Sequence, residues 1–234
     1  MHDLALQGGG FWLAVLQIIM IDILLGGDNA VVIALACRRL PENQRKKGIF
    51  WGVFGAVGLR IVLIFFALTL LSWPWLKIVG AALLLWIGVK LLLPEEDDAH
   101  HNLQASDHLL GAIKTIIVAD AVMSIDNVIG VAGAARGNML LVVFGIAISV
   151  PIIVWGSQLV LKLMDRFPWV ITAGAGLLGW IAGEMAFSDV ALEPWTTGLA
   201  GAYRYAAAVI GALLVIVLGH FLAKRRETPG ASSS

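Results

Sequence analysis

The chain has 234 residues, of which 59% are hydrophobic and 14% charged, with a mean hydropathy of +0.89. These values exclude an ordinary soluble domain and define an integral membrane protein. A formal net charge of zero gives no reason to expect a nucleic-acid partner.

A helix needs about 20 mainly apolar residues to cross the hydrocarbon core. Seven segments qualify to within a few residues: 11–36, 49–71, 75–93, 109–134, 140–161, 169–187 and 203–223. None shows the strict alternation of a barrel strand, so the predicted class is all-α, a polytopic protein with seven transmembrane helices. The expected units are 1–93 (three helices), a cytoplasmic acidic and His-containing linker at 94–108, 109–189 (three helices), the seventh helix within 190–226, and a disordered tail at 227–234.

Orientation follows from Lys and Arg in the short loops. Arg38, Arg39, Arg45, Lys46 and Lys47 follow the first segment, Lys162 and Arg166 the fifth, and Lys224, Arg225 and Arg226 the seventh. The alternate loops hold Lys77, Arg136 and Arg204. The N-terminus is therefore expected outside and the C-terminus in the cytoplasm. No basic region precedes the first segment, which reads as a span and not as a cleaved signal peptide. Trp12, Trp73, Trp75, Trp169, Trp195, Tyr203 and Tyr205 fall near segment ends, where amphipathic rings favour the headgroup layer. Cys37 is the lone cysteine and reads as a small apolar residue at a helix end.

Two segments repeat one polar pattern. Asp22, Asp28 and Asn29 in the first match Asp120, Asp126 and Asn127 in the fourth, 98 residues later. Trp75, Gly80, Trp86 and Ile87 match Trp169, Gly174, Trp180 and Ile181 at an offset of 94, and Val53-Phe54-Gly55 matches Val143-Phe144-Gly145 at 90. Three helices duplicated as three must enter the membrane from opposite sides, so the repeat is inverted. Inverted repeats are a transporter architecture, with the site at the repeat interface and alternating access by relative movement of units.

A charge at the bilayer centre costs at least ~2.5 to 3.5 kcal/mol, which makes intramembrane carboxylates functional candidates. At about 1.5 Å per residue, Asp22 and Asp120 fall near the midplane, roughly 16 Å from their segment starts; Asp28 and Asp126 are displaced by about 9 Å toward opposite sides. Gly26-Gly27 precedes Asp28, and glycine in a helix interior costs about 1 kcal/mol relative to Ala. A helix break is therefore expected there, turning Asp28 inward and freeing backbone carbonyls.

Four Asp and two Asn form a hard oxygen set suited to Mn²⁺, Mg²⁺ or Ca²⁺. Met123, one turn from Asp120 and Asn127, offers a weak thioether that favours a softer ion such as Mn²⁺. Without metal, four like charges in one cavity cannot all remain ionised, which suggests cation/proton antiport. The rival reading pairs each Asp structurally, with Arg60 or Lys114 as the cation. Glu184, Asp189 and Glu193 offer either an outer vestibule or ordinary helix-end acids, and Lys90 is read as snorkelling. Residues 95–108 are either a metal-gathering loop or a solvated linker. Gly179-x3-Gly183 and Gly52-x3-Ala56 permit close helix packing. No nucleophile triad, nucleotide motif or tightly bound cofactor is indicated, which argues against an enzyme, and an intramembrane aspartyl enzyme would not explain duplicated Asp-Asn pairs.

Gly26-Gly27-Asp28-Asn29-Ala30 and Met123-Ser124-Ile125-Asp126-Asn127, with the acidic linker between, resemble the TerC family of membrane proteins, in particular its short bacterial YjbE-type branch within the LysE-like transporter superfamily. The resemblance covers nearly the whole chain. It implies seven helices, a bacterial inner-membrane location and a role in metal-ion homeostasis, most simply Mn²⁺ efflux. The ion would be carried by Asp22, Asp28, Asp120 and Asp126, and the partners would be a divalent cation, protons and the bilayer. The alternatives are a factor assisting metallation or assembly of other proteins, and a Ca²⁺/H⁺ carrier. Oligomeric state is left open.

Overall fold

The computed structural model describes residues 9–66, 69–70, 72–94, 104–135, 139–196 and 201–227. Within these ranges the side chains of 9–11, 13–14, 21–22, 24–26, 104–107, 126, 128–135, 139–141 and 227 lie outside the description.

Seven long helices occur among the described residues, and no strand: α1 (Gly9–Cys37), α2 (Glu42–Phe65), α3 (Leu76–Leu92), α4 (Gln104–Ala135), α5 (Met139–Arg166), α6 (Trp169–Phe187) and α7 (Gly201–Glu227). A 3-10 turn at Val190–Leu192 and a single helical turn at Glu193–Thr196 join α6 to α7. Five described stretches are long and apolar enough to cross a membrane: Glu42–Phe65, His108–Ile125, Val142–Arg166, Trp169–Phe187 and Gly201–Arg226. The protein is thus all-α with several membrane-spanning candidates. Helix α3, with 17 residues, and the described apolar part of α1, Gly27–Cys37, fall below that length.

Several boundaries move outward from the hydropathy reading, among them the end of α5 at Arg166 and both ends of α7. Helix α2 begins at Glu42 and α4 at Gln104, because polar first turns such as Glu42-Asn-Gln-Arg-Lys-Lys are helical without being apolar. Most of the acidic linker and the tail beyond Glu227 lie outside the described residues.

The expected break in α1 does not occur: one helix runs through Gly26-Gly27. A break in a spanning segment leaves backbone groups unpaired in hydrocarbon at several kcal/mol each, more than the glycine penalty. Gly27 is not a close-approach position either, since a Cβ there would meet nothing within 4 Å.

The helices sort into two groups. Helix α1 packs chiefly on α5 and α4, and α2 chiefly on α4. Helices α3, α6 and α7 pack mainly on one another. Glycines set the tightest contacts. Gly145 of α5 receives Ile18 of α1, while Gly55 and Gly52 of α2 receive Ile117 and Ile116 of α4. Gly145 corresponds to Gly55 at the 90-residue offset, and Ile18 to Ile116 at 98. In the second group a Cβ on Gly179 would collide with the Gly211 carbonyl, and one on Gly183 with the Ala207 carbonyl, so α6 and α7 touch backbone to backbone. The two groups meet where Gly174 of α6 faces Val31 and Leu35 of α1, and Gly80 of α3 faces Val122 of α4.

The basic residues after α1 close helix ends. Arg38 and Arg39 donate to the Leu91 carbonyl at the end of α3 (2.7 and 3.2 Å), and Arg45 donates to the Leu40 and Arg38 carbonyls and to Asp165 (3.0, 2.9 and 3.0 Å). C-terminal carbonyls lack intrahelical donors, and Arg supplies them. Cys37 is a fully buried free thiol, as its apolar reading requires. The Trp and Tyr residues named above are all more than half exposed on the protein surface, consistent with interfacial belts.

Candidate metal site

The first helix group encloses a cavity of about 20 Å³, room for roughly one water or one monatomic ion. It is bounded by α1, α2, α4 and α5, and its polar lining is Asn29, Arg60 and Asp120; aliphatic residues such as Ile33, Ile116 and Ile153 supply most of the rest.

Arg60 and Asp120 form an ion pair and are 4% and 7% exposed. Ser124, one turn beyond Asp120 on α4, completes a triangle: Arg60 Nε donates to Ser124 Oγ (3.0 Å), and Ser124 Oγ donates to Asp120 Oδ2 (3.2 Å). A charge removed from water needs a partner and further hydrogen bonds to compensate its desolvation, and the triangle supplies both. The rival expectation of a structural pair is met for this one carboxylate, with Arg60 as the cation. Lys114 is instead exposed.

Across the cavity the polar groups lack such partners. Asn29 is 3% exposed, and neither its Oδ1 nor its Nδ2 has a hydrogen-bond partner. Asp28 Oδ1 is also buried without one. Asp28 lies close enough to interact electrostatically with both Arg60 and Asp120. An unsatisfied buried polar group costs about 1–3 kcal/mol, and native proteins hold few of them. The arrangement offers the Asn29 carboxamide to a small void beside a carboxylate, Asp120, that carries its own counter-ion.

Asp28, Asn29 and Asp120 are therefore brought together. Asp120 and Asn29, from α4 and α1, line the same cavity. Asn127 is half-buried, outside this cavity, and makes an interaction of its own. Asp22 and Asp126 continue helices α1 and α4, but their side chains lie outside the described residues. Among the described residues no group of three His, Cys, Asp or Glu converges as a metal cluster. Met123 belongs to the apolar core and does not line the cavity. Ser124 was not singled out from sequence, although its spacing of four from Asp120 puts the two on one helix face.

The outer acids are committed elsewhere. Glu184 pairs with Arg204 Nε at 3.2 Å. Asp189, 1% exposed, accepts from the backbone N–H groups of Trp75, Lys77, Ile78 and Ala191 at 2.7–3.1 Å. It caps the start of α3, where Trp75 has a left-handed φ of 72° and no cap of its own. Burial alone would push this carboxyl up; the four donors outweigh it and hold Asp189 below the usual carboxylate range. Asp189 thus serves the fold, and Glu184 is held in a partly exposed ion pair. Lys90 Nζ rests over the Trp86 ring, 5.0 Å from its centroid, consistent with a snorkelling side chain.

A multi-helix bundle with several helices long and apolar enough to span a bilayer, exposed aromatic and aliphatic faces, and a few buried polar groups at a small internal void defines an integral membrane protein. The chain belongs to the TerC family: the description "Integral membrane protein TerC family" matches residues 7–227. It is similar to the uncharacterized membrane protein YjbE of Bacillus subtilis, with 46% identity over 183 residues, 78% of this chain and 83% of the relative. It is also similar to YceF, an uncharacterized membrane protein of the same organism, at 24% identity over 92% of this chain and 84% of the relative. YoaE, an inner membrane protein of Escherichia coli, is 24% identical over 94% of this chain, which spans 44% of that longer relative. No solved structure matches.

Proposed function

We propose that this protein is a bacterial inner-membrane transporter of divalent metal cations, exporting Mn²⁺ from the cytoplasm in exchange for protons, and not an enzyme. The observation that carries the reading is Asn29, buried with its oxygen unpartnered on a one-ion cavity that Asp120 also lines, next to half-buried Asp28, one of whose oxygens is likewise unpartnered. Oxygen donors of this kind suit Mn²⁺, Mg²⁺ and Ca²⁺. Asp22, Asp126 and Asn127 complete the path in this reading. Carboxylates that lose a cation in a site shielded from water are neutralised by protons or by a neighbouring cation.

Seven spans in an inverted three-plus-three repeat, with the N-terminus outside, accompany the proposal. Support comes from the contacts Gly145–Ile18 and Gly55–Ile117, in which glycines matched at the 90-residue offset each receive an isoleucine of the helix that carries the acidic motif, one position apart in the repeat register. Alternating access would occur between the four-helix group α1, α2, α4, α5 and the group α3, α6, α7, because the contacts between them are sparse compared with those inside each.

The test is Mn²⁺ flux into liposomes containing the purified chain. Wild-type protein should move Mn²⁺ and counter-transport protons, while Asp28→Asn and Asp120→Asn each lower flux by about tenfold or more, as expected for loss of a charged ligand. Absence of Mn²⁺ flux in wild type, or undiminished flux in both variants, would overturn the proposal.

A further inference from the structure

We infer that Arg60 is a tethered counter-cation: its guanidinium occupies Asp120 in the cation-free cavity and yields that carboxylate to the entering divalent ion. The inference rests on the transport reading and adds a residue that sets affinity and release.

Stability alone does not account for the pair. Replacing a buried ion pair by well-packed apolar residues is often neutral or stabilising, and the surrounding wall is already apolar. The pair lines a void sized for one ion together with the unpartnered carboxamide of Asn29. A cation entering that void finds the Asn29 oxygen and the Asp120 carboxylate, whose negative charge is already matched. A guanidinium and a divalent ion repel at contact distance, so full coordination requires Arg60 to withdraw. The bond from Arg60 Nε to Ser124 Oγ anchors the stem of the guanidinium beside Asp120.

The arrangement is one-sided. At the 90-residue offset that relates α2 to α5, Arg60 corresponds to Val150, which also lines the cavity. The two copies of the acidic motif thus differ in charge environment although their acids match. Arg60 acts here as a positioning residue through Asp120, biasing the empty site to discharge its ion.

The experiment is Mn²⁺ binding to the purified full chain by calorimetry, paired with Mn²⁺ flux in liposomes, for wild type, Arg60→Gln and Ser124→Ala. Arg60→Gln removes the competing charge, so apparent affinity should rise about tenfold or more, the coupling expected of close charge pairs, while maximal flux falls because release slows. Ser124→Ala retains both charges and loosens only the anchor; it should bind a few-fold tighter with the same fall in flux. If Arg60→Gln does not fold, Ser124→Ala decides. Unchanged or weaker Mn²⁺ binding in the folded variants overturns the inference, since a ligand or purely structural role predicts one of those results. If wild type binds Mn²⁺ and the variants bind no tighter, the inference alone falls; if wild type binds no Mn²⁺, the transport reading falls with it.

Discussion

Asn29 carries a carboxamide able to donate two hydrogen bonds and accept two, and in its buried position on α1 neither polar atom has a partner. Such a group opposes folding and is retained where it serves a ligand. Asn29→Leu should therefore leave thermal stability in detergent unchanged or raise it by about 1 kcal/mol, while Mn²⁺ flux drops; a variant that loses stability and keeps flux would show that Asn29 serves packing. At this scale the sequence was informative where a polar side chain lay inside an apolar run, which identified Asp28, Asn29 and Asp120. It was uninformative where the partner is remote. Asp189 looks like a vestibule acid until α3, 112 residues earlier at Lys77, is seen to supply its donors. Ser124 escaped notice because a small hydroxyl in an apolar helix is usually satisfied by its own backbone, as Ser149 and Ser157 are by Ile146 and Val154.

Glycine has opposite meanings on two helices. On α6, Gly183 lets the backbone of α7 approach so closely that a Cβ would strike the Ala207 carbonyl. On α1, Gly27 faces open space. Gly183→Ala should lower stability by about 1–3 kcal/mol through overpacking, and Gly27→Ala should raise it by about 0.5–1 kcal/mol through reduced backbone entropy. Thermal unfolding of the two variants beside wild type checks both; equal effects would contradict the packing described. Spacing announced the first case, because Gly179-x3-Gly183 is a helix-contact pattern. The second misled, because the cost of two glycines looked large enough to imply a break. A helix in hydrocarbon has no water to accept its broken hydrogen bonds, so continuity is favoured. Element boundaries followed the same logic: apolar runs located α6 at Trp169–Phe187 without error, but missed the polar first turns of α2 and α4.

At the scale of the molecule, hydropathy was enough to anticipate seven long helices and an all-α class. The grouping of those helices was not legible. Sequence similarity pairs α1 to α3 with α4 to α6, which suggests two separate halves, whereas the packing interleaves them: the first and second helices of both halves enclose the cavity, and the third helices associate with α7. Similarity between segments follows the order of residues along the chain, while packing follows where glycines admit a neighbour's side chains, as Gly145 admits Ile18. Every described candidate ligand at the cavity lies in the interleaved four-helix group. That concentration is the central claim, and anomalous diffraction from crystals of the full chain grown with Mn²⁺ tests it most directly. The account predicts a Mn²⁺ peak between α1, α2, α4 and α5, within coordination distance of Asp28, Asn29 and Asp120, with Arg60 turned away from Asp120. Well-ordered crystals with that cavity empty of Mn²⁺, or with Mn²⁺ bound only outside the four-helix group, would contradict it.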